Sequence, residues 1–171
     1  ENALGPSPMA MEAVKTCLDS LHEYSHRTDD ALREALHKSF NGALSADQFI
    51  TTNSGLELLE LVIQGFVNVG DEIIISNPTF HVYEIFGEIA GAHVVDVPLD
   101  AETFEVRPQA ILDAITDRTK VVFITNPNNP CGTGISRSQM DEIIHGIPDD
   151  VVVLIDEVYY HFHDMDDFPY A

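Results

Sequence analysis

Apolar residues along the chain fall into two rhythms. Short continuous runs over 72–76, 93–97, 120–125 and 151–155 predict strands, and a weaker run over 49–52 predicts one more. Between them, apolar positions recur at helical spacing over 9–21, 31–40, 56–67, 80–90 and 108–115, and a further helix begins at Ser136. The punctuation agrees. Asp29 and Asp30 stand where N-caps belong, Pro108 suits a first helical turn, and Ser136 with Gln139 forms a capping box. Gly42, Gly70 and Gly91 stand where helices or turns stop. Buried strands alternating with amphipathic helices predict an α/β fold, a mostly parallel sheet flanked by helices. Ligands of such sheets sit outside the carboxyl ends of the strands, so the residues following each strand are the informative ones.

Composition narrows the classes. With 44% hydrophobic and 22% charged residues in 171, the chain is an ordinary globular sequence able to bury a core. No apolar run approaches the roughly 18 residues of a membrane span. There is no internal repeat or low-complexity tract. Eight basic residues against 29 acidic give a net charge of −21, which repels phosphate backbones and disfavours nucleic-acid partners. Cys17 and Cys131 lie far apart, without the spacing of a zinc knuckle or a stapled secreted scaffold. No signal or transit peptide opens the chain, which reads as cytoplasmic. It begins at Glu1 without an initiator Met and stops at Ala171 after an unfinished polar stretch, so it is expected to be part of a longer protein.

The unusual residues do cluster after the strands. Ser54-Gly55-Leu56-Glu57 opens a helix with amides and a dipole suited to a phosphate, although Ser54 could equally be a plain N-cap. Asn77-Pro78-Thr79-Phe80 turns the chain and sets Phe80 either at the mouth of a site, able to stack on a flat ring, or in the core. Asn126-Pro127-Asn128-Asn129-Pro130-Cys131-Gly132-Thr133-Gly134 packs prolines and glycines at a density that a surface turn does not need, and its asparagine amides can donate to a ligand oxygen. The last apolar run delivers Asp156, with Tyr159 three residues on. A buried carboxylate needs a positive or hydrogen-bonding partner, unless Asp156 is simply a helix cap. His161, His163 and Asp164 read as an exposed terminal loop rather than a metal site, and Asp164, Asp166 and Asp167 lack the glycine and terminal Glu of a calcium loop. No metal is expected.

Taken together, these segments resemble the class I/II aminotransferases of fold type I, and within them the histidinol-phosphate aminotransferase subgroup, whose opening segment is similar to Glu1-Asn2-Ala3-Leu4-Gly5-Pro6-Ser7-Pro8. The resemblance runs through the whole chain in order. It implies a cofactor, pyridoxal 5′-phosphate, and transamination in two halves between an amino donor and a 2-oxo acid acceptor, in a homodimer. It implies that the amides of Ser54, Gly55, Leu56 and Glu57 hold the cofactor phosphate and that Phe80 stacks on the pyridine ring. Asn129 and Tyr159 would bond the phenolic oxygen, Asp156 the ring nitrogen, and Tyr24 the phosphate of the partner subunit. Residues 1–45 would form an N-terminal segment with its helices, and 46–171 part of the cofactor-binding large domain. Cys131 stands where the family usually has Thr, Leu56 where the subgroup often has Asp, and Val158 where Ala is common, while Ser54-Gly55 reverses the usual order; none of these removes a needed group. The family's Schiff-base lysine is a different matter. None of Lys15, Lys38 and Lys120 fits it, and Arg27, Arg33, Arg107, Arg118 and Arg137 include no evident carboxylate clamp. The chain is therefore expected to carry cofactor contacts without the catalytic lysine. A decarboxylase or lyase related to threonine-phosphate decarboxylase, and a non-catalytic cofactor-binding domain, are the other readings.

Overall fold

The computed structural model describes residues 3–24 and 29–169. Glu1, Asn2 and Arg27 of the readings above lie outside the described residues. The chain divides into two compact units, 1–51 and 52–171.

The first unit holds helix α1 (Pro8–Cys17), a 3₁₀ turn (Leu18–Ser20), helix α2 (Asp30–Ser39) and a second 3₁₀ turn (Ala46–Gln48). Neither helix buries a residue. Polar bonds hold the end of this unit together: Arg33 Nε donates to the Ala46 carbonyl at 2.8 Å, and its guanidinium meets the Asp47 carboxylate at 3.1 Å. Asp29 occupies the N-cap of α2, but its side chain does not cap. Its carboxylate accepts from the Thr51 hydroxyl and faces Arg33 at 3.6 Å. The strand expected over 49–52 does not form. Phe49 is extended, but its ring turns to Phe40 at 5.7 Å, and no described strand pairs with it. One apolar side chain satisfied locally is not enough to recruit a sheet edge.

The second unit is a sandwich of helices around a sheet. Its elements are α3 (Gly55–Phe66), β1 (Glu72–Ile75), α4 (Val82–Ile89), β2 (His93–Asp96), α5 (Pro108–Asp113), β3 (Thr119–Thr125), α6 (Arg137–Gly146) and β4 (Val152–Asp156). The four strands run parallel in the order β2-β1-β3-β4. Side chains alternate faces at the strand period. Ile73, Ile75, Val121 and Phe123 pack with Leu59 and Ile63 of α3 and Tyr83 of α4. Ile74, Val122 and Ile124 pack with Ile111 of α5 and Met140 and Ile143 of α6. Both faces of β1 are covered, which is why it reads as an uninterrupted apolar run. Helix boundaries are set by local chemistry. Gly91, at φ +77°, closes α4, and the Ser136 capping box opens α6, with the Gln139 amide donating to Ser136 Oγ at 3.3 Å. Ser136→Ala is expected to lower stability by about 1 kcal/mol, read as a shifted denaturation midpoint with an unchanged m-value.

The chain leaves β1 for β2 on one side and returns to β3 on the other. The crossovers therefore diverge at the carboxyl ends of β1 and β3, where open α/β sheets carry their ligands.

Candidate functional site

A cleft of about 440 Å³ opens at that rim, within the range of small-molecule sites. Four chain segments supply its walls. The start of α3 contributes Ser54, Gly55 and Leu56, the turn after β1 contributes Phe80, the loop after β3 contributes Asn129, and the end of β4 contributes Asp156 and Tyr159. Seven of the nine residues named from the sequence thus share one cavity. Two do not. Glu57 lies one step further along α3, where its amide donates to Ser54 Oγ at 3.3 Å and its carboxylate accepts from the Asn53 amide at 2.7 Å. Tyr24 belongs to the first unit and is fully exposed there.

The start of α3 is capped and leaves two amides outside the helical ladder. Ser54 Oγ occupies the Glu57 amide and the Ser54 carbonyl that of Leu58, while the amides of Gly55 and Leu56 precede the helical ladder with no intrahelical acceptor. A Cβ at Gly55 would meet nothing within 4 Å, so the backbone there borders open space.

The loop after β3 is fastened from within. Gly132 N–H donates to the Asn128 carbonyl at 2.7 Å with Gly132 at φ +74°, and Asn128 N–H donates to the Thr133 carbonyl at 2.8 Å. The Asn77–Pro78, Asn126–Pro127 and Asn129–Pro130 peptide bonds are cis. The three asparagines have separate tasks. Asn126 Oδ1 accepts from the Ile135 amide at 2.8 Å, and Asn128 binds the preceding loop through the Pro78 carbonyl at 2.9 Å. Asn129 is the one that lines the cleft.

Asp156 is half-buried and is not a helix cap. Oδ1 accepts from the Val158 amide at 3.1 Å, and Oδ2 accepts from the Tyr83 hydroxyl at 2.7 Å. Tyr83, only 1% exposed, was not singled out by the sequence. Burial, before all else, pushes its phenol well above the ordinary tyrosine value, and the neighbouring Asp156 charge adds to this, so it remains a donor. Its only sequence signal is a polar tip on the buried stripe of an amphipathic helix, which must find a partner.

The cationic side chains have other duties. Lys120 sits at the amino end of β3, opposite the cleft, and donates to the Asp117 carbonyl. It is the lone lysine of the second unit; Lys15 and Lys38 belong to the first. Arg107 and Arg137 donate to the Pro98 and Phe168 carbonyls, and Arg118 pairs with buried Glu72 at the amino end of β1, away from the cleft. Among the described residues no group of three or more His, Cys, Asp or Glu is placed to hold a metal, and no helix is long and apolar enough to cross a membrane.

Comparison with known proteins places the chain in a family. The model of the aminotransferase class I and II family matches residues 1–168. A histidinol-phosphate aminotransferase of Granulibacter bethesdensis is 38% identical over 168 residues, covering 98% of this chain and 44% of that protein. An aromatic amino acid aminotransferase of Corynebacterium glutamicum strain R is 36% identical over 171 residues, covering 100% and 49%. The crystal structure of a histidinol-phosphate aminotransferase from Sinorhizobium meliloti in complex with pyridoxal-5′-phosphate shares the fold, with a TM-score of 0.89 at 19% identity over 99% of this chain and 45% of that one. The chain thus spans about half the length of the curated relatives it matches. A rim cleft walled by these segments and a family model matched almost from end to end lead to one conclusion: the chain belongs to the aminotransferase class I and II family.

Proposed function

We propose that the cleft binds pyridoxal 5′-phosphate and that the intact protein moves an amino group between an amino acid, with histidinol phosphate the first donor to test, and a 2-oxo acid, as a cytoplasmic homodimer. The observation that carries this reading is the convergence of Gly55, Phe80, Asn129, Asp156 and Tyr159 on one cavity from four separate segments of the chain. The donor set suits the group. The amides of Gly55 and Leu56 have no intrahelical acceptor and the backbone at Gly55 borders open space, which suits a phosphate at a helix start. Asp156 has both oxygens steadied by one donor each and keeps acceptor capacity for a ring N–H.

Bound pyridoxal phosphate supplies the electron sink for the pair released when the Cα–H bond of the amino acid breaks. The rest is the work of the chain. Gly55 and Leu56 anchor the phosphate, and Phe80 offers its face to the ring. Asn129 and Tyr159 donate to the phenolic oxygen. Asp156 holds a proton on the ring nitrogen by placing a negative charge beside it. Leu59 of α3 and Leu154 of β4 give the cleft an apolar wall. Tyr24 would serve the partner subunit.

The test is product analysis of the intact protein with cofactor, histidinol phosphate and 2-oxoglutarate. Glutamate formation that depends on the donor is expected. Release of carbon dioxide, or no amino transfer with any donor, would overturn the reading. The 171 residues alone, given the same mixture, are expected not to transaminate, because their second unit carries no lysine at the cleft; recovered turnover would sink that expectation.

A further inference from the structure

Asp156 does not stand alone. The Tyr83 hydroxyl lies 2.7 Å from Asp156 Oδ2 and 2.9 Å from Thr125 Oγ1. Thr125 Oγ1 lies 3.1 Å from Thr79 Oγ1, which lies 3.0 Å from Asn128 Oδ1. Both ends of this string are fixed. Asn128 Nδ2 donates to the Pro78 carbonyl, which leaves Oδ1 as the acceptor for Thr79. Each hydroxyl has a single proton. The Thr79 proton goes to Asn128 and the Tyr83 proton to Asp156, so the single Thr125 proton serves the oxygens of Tyr83 at 2.9 Å and Thr79 at 3.1 Å. Tyr83 thereby donates to the acid, with the Thr125 hydroxyl at its back.

The ring of Tyr83 is equally constrained. It stacks on Phe123 at 4.7 Å and meets the Phe80 ring edge-on at 5.6 Å. One buried side chain therefore touches two of the groups that face the cleft and ties the loop after β1 and the end of β3 to the end of β4.

We propose that Tyr83 is a positioning residue: its hydroxyl, oriented by Thr125, clamps one oxygen of Asp156 and aims the carboxylate at the ring nitrogen of the bound cofactor. This rests on the cofactor reading above. A clamp of this kind acts only on a ligand that has a nitrogen to meet.

The test uses the protein freed of cofactor and titrated, by fluorescence, with pyridoxal 5′-phosphate and with its deaza analogue, in which C–H replaces the ring nitrogen. Tyr83→Phe keeps both ring contacts and is expected to weaken pyridoxal phosphate about tenfold while leaving the analogue within about twofold. Thr125→Val, which removes only the hydroxyl that orients Tyr83, is expected to move the same ratio less far, and it serves if Tyr83→Phe does not fold. Equal weakening of both ligands would mean a merely structural role and overturn the proposal, as would an unchanged ratio. Asp156→Ala separates the two levels. If it too leaves the ratio unchanged, the cofactor reading of Asp156 fails and the proposal with it. If it removes the preference while Tyr83→Phe does not, only the clamp fails.

Discussion

Asp156→Ala in the intact protein is expected to lower kcat/KM for amino transfer by about 10²–10³-fold, the scale for removing one preorganised electrostatic partner of a developing charge. The loss has three sources. A negative charge disappears beside the ring nitrogen, so its proton is no longer held. A charge-assisted hydrogen bond to the cofactor is lost, worth about 1.5–3 kcal/mol of affinity. The buried Tyr83 hydroxyl also loses its charged acceptor and is left with the Thr125 hydroxyl alone, at 2.9 Å. Asp156→Asn separates these effects, because it keeps the shape and removes the charge. It is expected to retain cofactor better than the alanine variant and still to turn over slowly, with the loss in kcat rather than in KM. Steady-state kinetics at saturating cofactor decides. Activity within twofold of the parent in both variants would remove Asp156 from the site.

How much of this could be read in advance depended on how far apart the cooperating residues lie. Strands β1 and β3 were legible because central strands covered on both faces demand apolar runs, and Ile73–Ile75 and Val121–Ile124 supply them. The Ser136–Gln139 box was legible because its partners are three positions apart. Helix α4 starts at Val82 rather than at 80, because the turn after β1 occupies Thr79: its amide donates to Asn77 Oδ1 at 3.3 Å and its hydroxyl is spent on Asn128. No periodicity encodes that. Cleft residues emerged where unusual residues lie at or shortly after the carboxyl end of a strand, as at Phe80, Asn129 and Asp156. Tyr83 escaped because its meaning lies in a contact 73 positions away. Likewise, the loop's three asparagines look alike in sequence, and only the packing around them assigns two to structure and one to the cleft.

Gly87→Val is expected to lower stability by about 3 kcal/mol, the upper part of the range for overpacking a filled core. Two tendencies oppose each other at this position. Gly87 lies within α4, where propensity alone favours any side chain over glycine by up to about 1 kcal/mol. Against that, a Cβ at Gly87 would overlap Ile73 Cδ1 and stand 3.2 Å from Ile73 Cγ1 and 3.4 Å from Val94 Cγ2. Ile73 is wholly buried and hemmed by Leu59, Ile63 and Val121, so it has nowhere to swing. The helix must then lift from β1, taking Tyr83 and its bond to Asp156 with it. Gly146 is the internal control. A Cβ there would also crowd a side chain, Leu112, but Leu112 is only half-buried and can rotate away, so Gly146→Ala is expected to cost less than about 1 kcal/mol. Chemical denaturation of the two variants beside the parent measures the difference. Equal stability of Gly87→Val and the parent would mean that α4 does not press on β1 as closely as the contact to Ile73 requires, and the wall of the cleft that Tyr83 supports would lose its footing with it.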